Sequence, residues 1–174
     1  MVELAFNENP QIGDPDAPVQ LIIFTDFECT YCSQLAADLD EIKDDYLEKK
    51  QLRIQIWDYP LEKHEKAFDA AKCAFCADQQ GAYWNMYELL YAYQGQLSDS
   101  VFIKLANQLN LDESDFRLCM QGEESAAKVH ADITSGTEIG VSGTPAFILN
   151  GQLYSGAPPK DILIEFIDKQ LGLQ

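Results

Sequence analysis

The sequence predicts an α/β fold with a mixed sheet, in which a β–α–β unit and a β–β–α unit are separated by a long helical insertion. Three patterns predict this fold: a continuous apolar run over 19–25, a strict polar–apolar alternation over 51–57, and a strand–turn–strand pattern over 145–155. The first two patterns are typical of strands and the third of a hairpin. Helical periodicity occupies the residues between 61 and 139.

The first strand covers 19–25, and its almost unbroken apolar character indicates that both of its faces are covered. A helix follows it to about Lys49, because apolar residues recur at helical spacing after Cys32, at Leu35, Leu39, Ile42 and Tyr46. The residues before the strand, 1–18, are polar and end in turn formers, so we expect them to form only a lead-in.

The second strand, 51–57, alternates polar and apolar residues, which predicts a strand with one face exposed. A strand–helix–strand unit of this length is most simply parallel with a right-handed crossover. We therefore expect the first strand at the centre of the sheet and the second nearer an edge.

The segment between the two halves of the sheet is predicted to be helical throughout. Its periodic stretches, punctuated by capping residues, are 66–79, 82–93, 101–109, 112–120 and 123–138. We interpret their aromatic and methionine residues as core. The predicted organisation is thus a core made of 1–60 and 140–174, with 61–139 as an inserted all-helical subdomain.

The chain closes with a hairpin and a helix. Residues 145–149 form a strand pattern, Asn150-Gly151 is a favoured two-residue turn, and 152–155 is the partner strand. An amphipathic helix then carries its apolar residues at Ile162, Leu163, Phe166 and Ile167.

The composition excludes several classes of partner. With 29 acidic and 12 basic residues the net charge is −17, so a nucleic acid or an anionic membrane surface would be repelled. No apolar stretch approaches the roughly 20 residues of a membrane span, which predicts no membrane insertion. The first residues lack the basic and apolar regions of a signal peptide. We expect a cytoplasmic protein if Met1 is the native start, and otherwise an exported protein whose signal has been removed.

Two cysteines, Cys29 and Cys32, open the first helix directly after the buried strand. A thiol at a helix N-terminus faces unpaired backbone N–H groups and the positive end of the helix dipole, and both favour the thiolate. Because the thiolate is the form that attacks disulfides, we predict an exposed, attacking Cys29 and a shielded, resolving Cys32. No organic cofactor is needed, since the cysteine pair is itself the redox centre.

The charges around the pair predict how strongly Cys29 is activated. Asp26 and Glu28 bring negative charge close to it, and neither Thr30 nor Tyr31 is cationic. Negative charge disfavours the thiolate whereas the helix N-terminus favours it. We expect the pKa of Cys29 in the upper part of the range of activated thiols, roughly 5.5–7.5, and a disulfide of intermediate oxidising strength.

The order of elements and three segments resemble the DsbA-like thiol–disulfide oxidoreductases, which have a thioredoxin fold with a helical insertion. The segments are Asp26-Phe27-Glu28-Cys29-Thr30-Tyr31-Cys32, Cys76-Ala77-Asp78-Gln79-Gln80-Gly81-Ala82-Tyr83-Trp84 and Gly140-Val141-Ser142-Gly143-Thr144-Pro145-Ala146-Phe147, followed by the turn at Asn150-Gly151. Their order and separations make the resemblance specific, and it extends over 19–171.

The resemblance implies that Thr144 and a cis Pro145 lie beside the active-site sulfurs. It implies that the backbone of Thr144 pairs with an extended substrate, and that Thr30 and Tyr31 contribute to substrate binding. The chain departs from the family in having Thr30 where a proline is usual. It also has Ile23 where many members carry a buried proton-relaying carboxylate, so water, Asp26 or Glu28 would serve in the relay.

The remaining cysteines, Cys73, Cys76 and Cys119, allow several arrangements. Cys73 and Cys76 lie on one face of a helix and could bridge each other. A bond between Cys76 and Cys119 would close a loop of about forty residues, worth up to ~4 kcal/mol. If the protein is cytoplasmic, we favour three buried free thiols. His64 and His130 stand alone in the sequence, and we interpret both as surface or core residues rather than ligands.

The sequence therefore predicts a thiol–disulfide oxidoreductase that exchanges disulfides with protein substrates and with a separate redox partner. A zinc site would need a second pair of cysteines in tight turns, and Cys73 and Cys76 lie within a helical pattern. Two alternatives from other classes stay open: a glutathione-transferase-like or isomerase enzyme on the same fold, and a metal-binding module.

Overall fold

The computed structural model describes residues 6–173. Met1 and its neighbours up to residue 5, which carry part of the prediction about the start of the chain, lie outside the described residues, as does Gln174. The chain forms two compact units. One contains the chain up to Thr25, Cys29–Trp57 and the chain from Glu138 onward, and the other contains Asp26–Glu28 and Asp58–Thr137.

The first unit is built on a mixed five-stranded sheet with the strand order β1-β3-β2-β4-β5. Its strands are β1 (Gln11–Gly13), β2 (Val19–Thr25), β3 (Leu52–Asp58), β4 (Ala146–Leu149) and β5 (Gln152–Ser155). The apolar β2 occupies the centre, as its composition predicts. It pairs antiparallel with β4, with Phe24 opposite Ala146, so the residues just before Ala146 continue past the end of β2.

Strand β1 corrects the expectation that 1–18 form only a lead-in. It pairs antiparallel with β3, with Gln11 opposite Gln55 and Gly13 opposite Arg53. Gly13 has a φ of +102°, and a Cβ there would lie 2.2 Å from the carbonyl oxygen of Leu52. Glycine is therefore required at the end of β1, where the sequence pattern predicts only a turn.

Strand β3 corrects a second expectation, because it is buried on both faces rather than half exposed. Gln55 is fully buried. Its Nε2 donates to the carbonyl oxygens of Asn7 and Asn9 at 3.0 and 3.1 Å, and its Oε1 accepts from Trp57 Nε1 at 2.9 Å. A polar side chain whose hydrogen bonds are satisfied can be buried, so the alternation does not report exposure here.

Two helices of the first unit, α1 (Thr30–Leu47) and α7 (Lys160–Gln170), pack against each other. The buried residues of α1 are those that the helical spacing predicts, namely Cys32, Leu35, Leu39, Ile42 and Tyr46. The Tyr46 hydroxyl donates to Asp168 Oδ1 at 2.8 Å. This hydrogen bond fixes the C-terminal end of α1. The two cysteines lie at the opposite, N-terminal end of the helix.

The second unit is helical, with α2 (Ala67–Asp78), α3 (Tyr83–Ala92), α4 (Asp99–Gln108), α5 (Glu113–Gln121) and α6 (Glu123–Glu138). A 3₁₀ turn, Gln94–Gln96, follows α3. Helix α2 packs against α3, α4 and α5, and small buried side chains allow this close packing: Ala67, Ala70, Ala71, Ala74 and Ala77. Within 6–173, no helix has the length and apolarity that crossing a membrane requires.

A disulfide between Cys76 of α2 and Cys119 of α5 crosslinks the helical unit. The possible disulfide between Cys76 and Cys119 is therefore confirmed, and the interpretation of three free thiols, which was favoured for a cytoplasmic protein, is wrong. The cause is tertiary packing: α2 and α5 are adjacent, and the two Cα atoms lie 5.7 Å apart. Cys73 carries a free thiol that lies 3.5 Å from the sulfur of Met86 on α3. Burial raises the pKa of Cys73, so its thiol is kept neutral.

Asp58, which belongs to the helical unit, forms a charged cluster with Lys128 and Asp132 of α6, in which both carboxylates are buried and Lys128 is half-buried. Lys128 Nζ lies 2.5 Å from Asp58 Oδ2 and 2.8 Å from Asp132 Oδ2. The backbone N–H of Asp58 also donates to Asp132 Oδ2 at 2.8 Å. Burial raises the pKa of Asp58 to about 6, with Lys128 opposing the shift and Asp132 adding to it. The cluster fixes Asp58 to α6.

Candidate active site

The cysteine pair lies at the start of α1. Cys29 is the N-cap residue of this helix, with extended backbone angles of φ −80° and ψ 117°, and Cys32 lies in the first turn. The Cys29 carbonyl accepts from the backbone N–H groups of Cys32 and Ser33 at 3.0 and 3.1 Å. The first turn carries no acidic side chain, so nothing within it offsets the positive end of the helix dipole.

Thr144 and Pro145 lie against the same cysteine. The antiparallel pairing of β2 with β4 carries the residues before Ala146 past the end of β2, toward the start of α1. The Cys29 thiol donates to the Thr144 carbonyl oxygen at 3.3 Å. The Thr144–Pro145 peptide bond is cis, as the resemblance implies.

Cys29 is more deeply buried than the sequence predicts. Its exposed fraction is 6%, against 2% for Cys32, so the expectation of an exposed Cys29 is wrong although the order of the two is preserved. The cause is the Thr144 carbonyl, which lies over the sulfur and comes from a residue far along the chain. Thr30 and Tyr31, between the cysteines, are both exposed, and Tyr31 is 70% exposed.

The environment of Cys29 favours its thiolate. Its pKa is lowered from 9.0 to about 5, first by a hydrogen bond from the Cys32 thiol, which outweighs the opposing effect of burial. The backbone N–H of Cys32, the Thr144 side chain and the N–H of Tyr31 act in the same direction. The Thr144 hydroxyl oxygen is buried and has no hydrogen-bond partner within 6–173, so it is available to donate to a thiolate at Cys29.

This pKa lies close to the lower limit of the range expected from the sequence, roughly 5.5–7.5. The sequence identified the helix N-terminus and the nearby acids. It did not indicate the contributions of the Cys32 thiol and of Thr144, which depend on the folded geometry.

Alkylation of reduced Cys29 is expected to be half-maximal near pH 5, the value to which its pKa is lowered. The thiolate is the reacting form, so the rate should rise with pH through this value and then level off. The check is the rate of iodoacetamide labelling against pH, with the labelled peptide identified by mass spectrometry. Cys32→Ala removes the main stabilising hydrogen bond and should shift the inflection upward, toward 9.0. A wild-type inflection at about pH 8 or above would contradict the lowered pKa.

The sequence did not reveal the surroundings of two further candidate residues, Asp26 and His64. Asp26 is buried, with an exposed fraction of 1%, although the chain gave no assurance of this. His64, which stands alone in the sequence, has a partner in the fold: its Nδ1 lies 2.7 Å from Asp26 Oδ2. Nothing in the sequence links these two residues, which lie 38 positions apart. His130 packs its ring against Phe68, with the ring centroids 4.9 Å apart.

A strand–dithiol–helix site facing a cis proline defines the class of protein. A family model described as thioredoxin matches residues 7–169. The chain belongs to the thioredoxin family, and its fold is that of the DsbA-like thiol–disulfide oxidoreductases.

The similar proteins include a solved structure and two curated relatives. The solved structure of alpha-DsbA1 from Wolbachia pipientis is 20% identical, covers 97% of this chain and 94% of its own, and gives a TM-score of 0.86. A probable disulfide bond formation protein D from Bacillus anthracis is 25% identical over 96% of this chain and 80% of its own length. The Na⁺/H⁺ antiporter NhaA 3 of Salinispora tropica is 34% identical over 83% of this chain. The chain spans 22% of that antiporter's length.

Proposed function

We propose that the chain is a thiol–disulfide oxidoreductase that exchanges disulfides with protein substrates, with Cys29 as the attacking thiol and Cys32 as the resolving thiol. The observation that carries the proposal is the geometry around Cys29. Its sulfur lies at the N-terminus of α1, is hydrogen-bonded by the Cys32 thiol, and contacts the Thr144 carbonyl. A pKa of about 5 keeps the sulfur mostly as thiolate at neutral pH.

In the oxidising direction, a substrate thiolate attacks the Cys29 sulfur of the Cys29–Cys32 disulfide. The bond between the two cysteines breaks, Cys32 leaves as a thiolate and takes up a proton, and the substrate is joined to Cys29. A second substrate thiolate then attacks the substrate sulfur of this mixed disulfide and displaces Cys29. The substrate gains a disulfide, and the enzyme gains two electrons. A low pKa makes Cys29 a good leaving group in the second step, and the reverse sequence reduces a substrate disulfide.

Thr144 supports docking of an extended peptide. When Cys29 is protonated, the Thr144 carbonyl accepts from its thiol. The Cys29 sulfur carries no proton as a thiolate, the main form at neutral pH, or when it is bonded to a substrate. In both states the carbonyl is available to a substrate backbone N–H. Such pairing adds the substrate as a strand beside Pro145. Thr30 and Tyr31, which follow Cys29 in the chain and are exposed, complete the proposed substrate-binding set.

The disulfide in the helical unit supports a proposal about the compartment. Disulfides persist in oxidising environments and are rare where thiols are kept reduced. The Cys76–Cys119 bond therefore favours an exported protein over a cytoplasmic one. There the enzyme would work with a separate redox partner that restores the Cys29–Cys32 pair after each turnover. The comparisons do not favour the glutathione-transferase-like, isomerase or metal-binding alternatives.

The test measures exchange with a protein substrate and with a small disulfide. Reduced, unfolded substrate with two cysteines is incubated with the oxidised chain, and a disulfide peptide is incubated with the reduced chain. Two-electron exchange should occur in at least one direction, and faster with the peptide than with cystine, because cystine offers no strand to Thr144. Exchange that is equally fast with cystine would remove protein substrates from the proposal, and no exchange in either direction would refute it.

A further inference from the structure

The three residues before Cys29 form a segment, Asp26–Glu28, that belongs to the helical unit although the residues on both sides belong to the sheet unit. Its first residue, Asp26, has a side chain that is 0% exposed. Asp26 Oδ2 accepts from the backbone N–H of Leu61 at 2.8 Å and lies 2.7 Å from His64 Nδ1. Its other oxygen accepts from the Glu28 N–H at 2.8 Å. The carboxylate therefore holds its own segment and the 61–64 segment together.

The next two residues, Phe27 and Glu28, also make contacts within the helical unit. Glu28 Oε2 accepts from the backbone N–H of Lys66 at 2.6 Å. The Phe27 carbonyl accepts from Gln94 Nε2 at 2.8 Å, and its ring packs against those of Tyr87 and Tyr91, with centroids 5.6 and 5.1 Å apart. Each residue of Asp26–Glu28 thus has its own contact within the helical unit, and a peptide bond joins the last one to Cys29.

We propose that Asp26 and Glu28 are positioning residues for Cys29, whose carboxylates clamp the backbone that leads into α1 to residues 61–66. The inference rests on the proposed function, since it concerns the reactivity of the attacking thiol. Cys29 is stabilised as thiolate first by the Cys32 thiol and then by N–H groups of the first turn of α1, those of Cys32 and Tyr31. Those contacts require a fixed N-cap conformation, and helix ends fray when they are not held. The clamp supplies that constraint from the side of the chain that precedes the helix.

Each of the two carboxylates has a second effect of opposite sign. A carboxylate so close in sequence to Cys29 disfavours the thiolate by charge repulsion. If charge were its main effect, removing it would lower the pKa of Cys29. If the clamp is its main effect, removing it should raise the pKa. The sign of the shift therefore separates the two roles.

Glu28 offers a matched pair of variants. Glu28→Gln removes the charge but keeps an oxygen that can accept from the Lys66 N–H, whereas Glu28→Ala removes both. Glu113→Gln is the remote control, because it removes the charge of an exposed acid that pairs with Arg117. In each full-length variant, the pKa of Cys29 is measured by pH-dependent alkylation and the Cys29–Cys32 potential by equilibration with glutathione. Thermal melting confirms the fold.

We expect Glu28→Ala to raise the pKa of Cys29 by roughly 0.5–1 unit, the effect of losing one helix-cap contact, and to make the disulfide less oxidising. Glu28→Gln should leave the pKa at or slightly below the wild-type value, and Glu113→Gln should leave it unchanged. If Glu28→Ala does not fold, Asp26→Asn replaces it, since its single oxygen cannot keep all the contacts of Asp26, and the same rise is expected.

A lowered pKa in both Glu28 variants, or no shift in Glu28→Ala, would overturn the clamp. Either result could be obtained with a wild-type protein that still exchanges disulfides, and the proposed function would then stand. A wild-type protein that exchanges no disulfides would instead remove the proposed function, whatever the Glu28 variants do to the pKa.

Discussion

Cys29→Ser is expected to abolish disulfide exchange, with a loss of rate of at least about a thousandfold, as for other enzymes whose nucleophile is removed. A serine hydroxyl is not ionised at neutral pH and cannot form a disulfide. Cys32→Ser should behave differently. Cys29 can still attack, but no thiol is present to resolve the product, so mixed disulfides between Cys29 and substrate should accumulate.

The measurement is exchange with a reduced or disulfide-containing peptide, followed by mass spectrometry of trapped complexes. Cys73→Ala is the matched control, because it removes a thiol that is fully buried within the helical unit, and it should retain exchange. If Cys29→Ser keeps substantial activity, or if complexes are trapped through Cys32 rather than Cys29, the assigned roles are wrong.

Replacing both Cys76 and Cys119 by alanine is expected to lower the free energy of unfolding by about 2–4 kcal/mol. The bond closes a loop with a sequence separation of 43, and opening it gives the unfolded chain more conformational entropy. Denaturant unfolding of the oxidised wild type and the double variant measures the difference. Cys73→Ala is again the control, because it removes a buried sulfur on the same helix without removing a crosslink. A double variant no less stable than Cys73→Ala would contradict a stabilising bond.

The elements with strong local patterns are predictable from the sequence. The apolar run of β2, the buried stripe of α1, the five helices of the insertion and the Asn150-Gly151 hairpin all form as expected. In each case the signal is a periodicity or a turn residue within a few positions of the element itself. The fold class follows from their order.

The features that the sequence missed depend on partners far along the chain. Strand β1 has three residues, too few for a period, and exists because β3 pairs with it. The alternating pattern predicts an exposed Gln55, but its side chain is buried because the carbonyl oxygens of Asn7 and Asn9 accept its hydrogen bonds. The pairing of Asp26 with His64 likewise needs a fold that brings them together.

The candidate site also combines features that local sequence predicts with features that depend on distant partners. The cysteine pair could be recognised from its local sequence pattern, and the Thr144-Pro145 motif from the family resemblance. The burial of Cys29 was not, because the carbonyl that lies over its sulfur belongs to a residue 115 positions away. The partner of Cys76 was also open, since Cys73 and Cys119 were both available and only helix packing selects between them.

The most direct test of the central claim is the reduction potential of the Cys29–Cys32 pair, measured by equilibration with glutathione redox buffers and mapped by mass spectrometry. We predict a single two-electron transition at this pair. Its potential should lie between about −270 mV and about −120 mV, the values of thioredoxin and DsbA, whose attacking thiols have pKa values of about 7 and about 3.5. The Cys29 pKa of about 5 lies between those two. A pair that does not oxidise reversibly, or one with a potential below that of thioredoxin, would contradict the redox centre described above.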